Sequence, residues 1–307
     1  MMERKELTLF IKSEAARVGF DACGIAKATA VDEKTVAFIE GWTKEDKHGT
    51  MHYLERNCEK RYDPTLLVEG CRSIIVVALN YTPKRAIEGI SNYAQGCDYH
   101  KAVKERLYML LKSINEKVPC QGRAFCDSAP VLERYWAVQS GLGWIGRNRQ
   151  FIIPGKGSCF FIGELIVDIE LEYDEPYRQS HCGNCNKCVE NCPTGALKRE
   201  GFDARECLSY LTIEYRGELP ENIGEKMGNC FYGCDRCQAV CPHNRFATPN
   251  DTAELQPKPE LIRMNAEKWR TLTKEQYNEL FSGSAVERCG YEQLMRNIKE
   301  CKKDPKK

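Results

Sequence analysis

Nine of the 18 cysteines in this 307-residue chain fall within the 60 residues from Cys182 to Cys241. In a reducing compartment such density points to metal ligation before disulfides. Cys182-Gly-Asn-Cys185-Asn-Lys-Cys188-Val-Glu-Asn-Cys192-Pro193 has the two, two, three spacing of a bacterial iron–sulfur run closed by Cys-Pro. Cys234-Asp-Arg-Cys237-Gln-Ala-Val-Cys241-Pro242 repeats its second half. Three thiolates on a tight turn grip one face of a cubane, while the fourth points away and ligates the other cluster. Two crossed 4Fe–4S clusters follow. One takes Cys182, Cys185, Cys188 and Cys241; the other takes Cys192, Cys234 and Cys237 with either Cys207 or Cys230. Spacing alone favours Cys230. An all-cysteine zinc site is the competing reading, but it explains neither the Cys-Pro after each run nor nine thiols.

A close pair of low-potential clusters is an electron wire, and the sequence ahead of it should hold the place where the electrons are used. Three segments there stand out: Asp98-Tyr99-His100, Asp127-Ser-Ala-Pro-Val-Leu-Glu-Arg134, and Gly141-Leu-Gly-Trp-Ile-Gly-Arg-Asn148. Each also has a purely structural account. Asp98 and Asp127 suit helix N-caps, Pro130 suits a first helical turn, and the glycines suit a turn. The GxGxxG spacing from Gly141 to Gly146 follows a helical pattern and no strand, so it is not a dinucleotide fingerprint.

Positioning these groups requires an α+β fold: a mixed α/β front domain over 1–173, a double-cluster domain over 174–249, and a helical segment over 250–307. Apolar spacing predicts helices over Glu6–Gly19, Tyr99–Val118 and Ala129–Ser140. Ala22–Ala26, Ser73–Tyr81 and Gly122–Cys126 read as strands, Ser73–Tyr81 as a central one. Phe151–Leu171, broken by Pro154-Gly-Lys-Gly-Ser158, suggests a hairpin. Two short helical patterns close the chain, near Lys274–Phe281 and Tyr291–Cys301. Charge nearly cancels, 45 Lys+Arg against 44 Asp+Glu, which excludes holding polyanions by bulk charge. Residues 296–307 nonetheless hold six Lys/Arg against two acids, a basic tail read as solvated. No apolar run is long enough to span a bilayer and no signal-peptide pattern opens the chain, so a cytoplasmic protein is expected.

The combination of DYH, DSAPVLER, GLGWIGRN and the GKGS serine with CGNCNKCVENCPTGAL, ECLSYLTIE and YGCDRCQAVCPHN resembles the epoxyqueuosine reductases. The resemblance covers most of residues 1–300, through Leu280-Phe-Ser-Gly-Ser-Ala285 and Arg296-Asn297. It implies a cobalamin-dependent iron–sulfur enzyme that removes the epoxide oxygen from epoxyqueuosine at the tRNA wobble position. The front domain would be nitroreductase-like and cradle cobalamin, and the second ferredoxin-like with two 4Fe–4S clusters. The family pattern makes Asp127 the proton donor. Arg134, Tyr99 and His100 become substrate-side residues, and Arg61, Asp127, Ser209 and Asp235 cobalamin contacts. It also assigns Cys207 to the second cluster and leaves Cys230 surplus.

Implied with it are cob(I)alamin as the agent that attacks the epoxide carbon, no protein histidine on cobalt, an unidentified low-potential electron donor and a monomer. An aspartate of ordinary pKa is a poor acid at neutral pH, so burial should raise that of Asp127, and Arg134 should not pair with it. Departures from the family are Arg147 for the usual lysine after Trp-Ile-Gly, His243 for an apolar residue, and an end ten residues after Asn297, without the helical-repeat extension of many relatives. Competing functions are a reductive dehalogenase, disfavoured by the missing export signal and by Asp at the donor position, and a ferredoxin-like electron carrier.

Overall fold

The apolar run at Ser73–Asn80 is buried at every residue, because both of its faces are covered. The computed structural model describes residues 3–301. In chain order the front part comprises α1 (Arg4–Arg17), β1 (Ala22–Lys27), α2 (Glu33–Lys44), α3 (Cys58–Tyr62) and β2 (Ser73–Asn80). It continues with α4 (Tyr99–Asn115), β3 (Gly122–Phe125), α5 (Glu133–Gln139), β4 (Trp144–Ile145), β5 (Phe151–Ile152) and β6 (Phe160–Val167). Four strands form an antiparallel sheet in the order β1-β2-β6-β3. Alternate residues of β2 serve two cores. Ile75, Val77 and Leu79 pack with Ile11 of α1 and with Val103, Leu107 and Leu110 of α4. Ile74, Val76 and Ala78 pack with Trp136 and Ala137 of α5. Each fully buried aliphatic side chain contributes about 1.5–3 kcal/mol.

Two sequence expectations are corrected. The helix expected from Ala129 begins at Glu133, with Leu132 rather than Asp127 as its N-cap. Asp127 instead takes a left-handed turn at φ +56°, and its backbone N–H donates to the Glu133 carboxylate. The bond holds the intervening residues as a loop. Residues 151–171 are not a simple hairpin either. The turn closes between Ile153 and Gly157, but β5 pairs with β4 and β6 joins the main sheet.

The cysteine-rich part carries only short helices: α6 (Lys187–Glu190), α7 (Leu208–Ile213), α8 (Ile223–Met227) and α9 (Arg236–Ala239). After it come α10 (Pro259–Ile262), α11 (Ala266–Arg270), α12 (Lys274–Phe281) and α13 (Gly290–Glu300). A capping box of Thr273 and Gln276 opens α12. This last part shares its core with Ile87, Ile90 and Ala94 from the front and with Phe231 and Tyr232 from the middle. Asn297, fully buried on α13, donates to the carbonyls of Thr212 (2.8 Å) and Phe231 (2.9 Å). Arg296 turns inward onto the carbonyls of Leu211, Tyr215 and Gly217, so it is no part of a solvated tail; residues 302–307 of that tail lie outside the described residues. Among the described residues no helix is long and apolar enough to cross a membrane.

Candidate functional site

At the start of α4, Asp98 is the N-cap: its Oδ1 accepts from the His100 backbone N–H at 3.0 Å. The same oxygen lies 2.7 Å from His100 Nδ1, and His100 Nε2 lies 3.2 Å from Oδ2 of Asp127. The Tyr99 hydroxyl donates to that Oδ2 at 2.6 Å. Tyr99 stacks between His100 and Phe161, with ring centroids 4.1 and 4.3 Å away, which fixes both donors. The left-handed turn after β3 is what brings Asp127 to them.

One imidazole thus bridges two carboxylates. Burial alone would lower the pKa of His100, but its hydrogen bonds to Asp127 and Asp98 outweigh this and hold it above 6.5. Burial would raise the pKa of Asp127. The bonds from His100 and Tyr99, with the charges of His100 and Arg288, outweigh that and bring it below the ordinary carboxylate value. The protein's own groups therefore do not raise Asp127; the expected rise would have to come from burial under the corrin face. Its side chain is 55% exposed, and its neighbours are donors. Of the pair, His100 keeps its proton to the higher pH.

Two further carboxyls lie behind Asp127, and sequence reasoning missed them. Glu133 is pushed up to about 8, by burial first and then by the charge of Asp127. Glu164 of β6 is buried with neither carboxyl oxygen hydrogen-bonded. Burial first, then Glu133 and Asp127, push it well above the usual range. The signal was available: Glu164 is the one charged residue in Phe160-Phe-Ile-Gly-Glu-Leu-Ile-Val167.

Two tyrosines link the remaining candidates. The Tyr53 phenol feels Glu214, Arg288, Asp127 and Arg61, and the Tyr93 phenol feels Asp127, Asp235 and Glu214. Arg61 is 7% exposed and donates to the carbonyls of Leu54 (2.5 Å) and Tyr53 (3.2 Å). Asp235 accepts from the Ser91 hydroxyl and, at 2.7 Å, from the Asn92 N–H. Ser209 is half-buried in the first turn of α7. Arg134 is exposed on α5 and makes no ion pair among the described residues.

None of the 18 cysteines is paired in a disulfide. Cys182, Cys185, Cys188 and Cys241 line one pocket with Arg147, Asn148, Pro242 and His243. The Arg147 N–H donates to Cys182 Sγ at 3.4 Å, and its guanidinium donates to the carbonyls of Cys185 and Gly183. The GLGWIGRN segment therefore grips the first thiol loop and does not line the proton chain. His243 packs edge-on against Trp144, centroids 4.9 Å apart. In the second group, Cys207 feels Cys192, and both Cys234 and Cys237 feel Cys207. Cys230 neighbours Cys234 and Cys301 instead. Convergent thiols with N–H donors fit 4Fe–4S clusters. Ser209 and Asp235 stand one or two residues from Cys207, Cys234 and Cys237. A cofactor touching both side chains would therefore sit beside the second thiol group.

Two family models match: "Epoxyqueuosine reductase QueG, DUF1730" over residues 61–128 and a 4Fe-4S double cluster binding domain over residues 181–244. An epoxyqueuosine reductase of Cyclobacterium marinum is 41% identical over 299 residues, 95% of each chain. A crystal structure of epoxyqueuosine reductase with an epoxyqueuosine-modified tRNA-Tyr stem loop superimposes with a TM-score of 0.86 at 28% identity, covering 96% of this chain and 80% of that one. The epoxyqueuosine reductase of Bacillus subtilis, solved with a catalytic aspartate loop swung out of the active site, gives 0.85 at 28% identity with the same coverage.

Proposed function

The chain belongs to the epoxyqueuosine reductase family, and from that membership we propose that it reduces epoxyqueuosine to queuosine at the wobble position of tRNA. Arg61 and Asp127 of a nitroreductase-like front domain, with Ser209 and Asp235 of the cluster part, would hold cobalamin, which would supply a cobalt nucleophile or electron donor for the epoxide carbon, with electrons from two 4Fe–4S clusters. Cys182, Cys185, Cys188 and Cys241 hold the first cluster; Cys192, Cys207, Cys234 and Cys237 hold the second. We keep the division into a catalytic part (1–173), a cluster part (174–249) and a helical part (250–307). The enzyme acts as a cytoplasmic monomer fed by a low-potential donor.

The chain's own chemistry is proton delivery: with two electrons from the clusters, releasing the epoxide oxygen as water takes two protons, and the first is needed as the C–O bond opens. Breaking the epoxide C–O bond builds charge on oxygen, and a positioned acid must quench it. Asp127 faces the open side and His100 stores the proton, kept in orientation by Asp98. When substrate and cofactor cover Asp127 and expel water, its anionic form loses solvation and its proton affinity rises. The proton then passes along the 3.2 Å contact from His100 Nε2 to the Asp127 carboxylate and on to the substrate oxygen. Tyr99, with its pKa raised by burial and by Asp127, stays protonated and holds the carboxylate in register. Arg134, exposed and unpaired, is free for the substrate's phosphate or diol.

The observation that carries this reading is the Asp98–His100–Asp127 chain, which supplies the proton that a low-pKa aspartate lacks. Asp127→Asn tests it. Iron content stays as in wild type, and turnover at saturating cobalamin falls about a hundred- to ten-thousand-fold. Wild-type turnover in that variant contradicts the assigned role.

A further inference from the structure

Between α2 and α3 lies a group of side chains that serves neither the proton chain nor the thiols. A one-turn 3-10 helix, His52–Glu55, follows a loop containing His48. His48 Nε2 is 2.6 Å and His52 Nδ1 is 2.8 Å from the same oxygen, Oε1 of Glu55. The three atoms all lie within 4.8 Å of one another. We propose that His48, His52 and Glu55 form a binding site for a single divalent ion of the zinc class, with the remaining coordination positions open to water.

The donor set carries the choice of ion. Two imidazoles and one carboxylate suit Zn²⁺ and its neighbours, whereas Mg²⁺ and Ca²⁺ prefer oxygen alone. Ligand bonds of about 2.0–2.2 Å in a tetrahedron put donor atoms roughly 3.3 Å apart, so the gaps of 2.6 and 2.8 Å must each widen by about half an ångström or slightly more, while the two nitrogens, within 4.8 Å of one another, close by at most about 1.5 Å. The triad can adjust on one side. Glu55 and His52 are 45% and 66% exposed, while His48 is 1% exposed and fixed. The His48 ring packs against Trp42 at 6.1 Å and lies edge-on to His52 at 5.7 Å. Its Nδ1 is buried without a hydrogen-bond partner. An ion on Nε2 would fix the tautomer that carries the proton on Nδ1, so the site stands on the convergence of Nε2, the His52 ring and the Glu55 carboxylate and not on the unpartnered nitrogen. Glu55, its pKa lowered chiefly by its hydrogen bonds from His52 and His48, is ionised and ready to ligate.

The position gives the ion a consequence. Tyr53 and Leu54, inside the same turn, supply the carbonyls that hold Arg61, and the Thr50 N–H two residues before His52 donates to the Tyr210 hydroxyl at 2.9 Å. An ion at the triad pins this turn between α3 and α7 and so fixes the Arg61 guanidinium.

Cluster-loaded protein, dialysed anaerobically against micromolar zinc, tests the site. Zinc and iron are counted together in wild type, His52→Ala and Glu55→Gln, the two exposed ligands whose loss leaves buried His48 in place. Wild type binds one zinc more than either variant, at unchanged iron, and its zinc X-ray absorption edge gives a nitrogen and oxygen shell near about 2.0–2.1 Å. Equal zinc in all three proteins, or a sulfur shell near about 2.3 Å from stray cysteine binding, overturns the proposal.

Discussion

At the scale of single residues, the acid is a pair. Asp127 alone has its pKa lowered, chiefly by its bonds from His100 and Tyr99 against the raising effect of burial, whereas His100 is raised. As pH rises, Asp127 ionises first and His100 keeps the last proton of the pair. Activity is therefore present below the raised pKa of His100 and falls as pH rises through it, giving an alkaline limb above 6.5. In His100→Gln the store is gone, the limb moves down to the lower pKa of Asp127, and turnover at pH 7.5 drops by about tenfold or more. A pH–rate profile checks this, and an unmoved limb contradicts it. Stability is bounded on both sides: the contribution of the Asp98–His100–Asp127 bonds is lost as pH rises through the raised pKa of His100 and again as pH falls through the lowered pKa of Asp127. Asp127 was legible in the sequence through its DSAPVLER setting. Its charge state was not, because that depends on donors brought from α4, about one strand and one helix earlier in the chain.

At the scale of elements, the loops around the thiols decide ligand choice. Spacing alone favours Cys230, and Cys234 feels Cys230 more strongly than Cys207; Cys207, though, lies near Cys192 and Cys237 as well, whereas Cys230 also neighbours Cys301, which supports the Cys207 assignment proposed above. Cys207→Ala should cost about four irons per chain and Cys230→Ala none, read by iron and sulfide analysis; the reverse contradicts the assignment. The strands β1, β2 and β3 and helices α1 and α4 were readable from apolar periodicity because each buries a regular face. The start of α5 was not. The Glu133 side chain bonds back to the Asp127 N–H, a side-chain choice that no periodicity reports. Glu164 belongs to the same hidden layer. Its two unpaired oxygens cost about 1–3 kcal/mol, and a buried acid with raised pKa destabilises increasingly as pH rises above its unfolded value. Glu164→Leu should therefore raise the thermal midpoint at pH 7.5 by a few degrees while reducing turnover. A lower midpoint would show that the carboxyl packs favourably.

At the scale of the whole molecule, the front sheet, the thiol loops and the C-terminal helices share cores. Asn297 on α13 ties Thr212 and Phe231 together, so Asn297→Ala strands two buried carbonyls at about 1–3 kcal/mol each. Iron loss on mild heating should come earlier in that variant, because α7 carries Cys207 at its start; unchanged iron retention would separate α13 from the clusters. This interlocking was not legible, since it joins residues more than sixty positions apart. The central claim is that one chain couples thiolate-held clusters, cobalamin and the Asp127–His100 proton to a tRNA epoxide. Its most direct test is anaerobic turnover of an epoxyqueuosine-bearing anticodon stem-loop by cluster-loaded protein, with and without cobalamin. The account predicts queuosine only when cobalamin is present. No product from the fully loaded protein, or equal product without cobalamin, would contradict it.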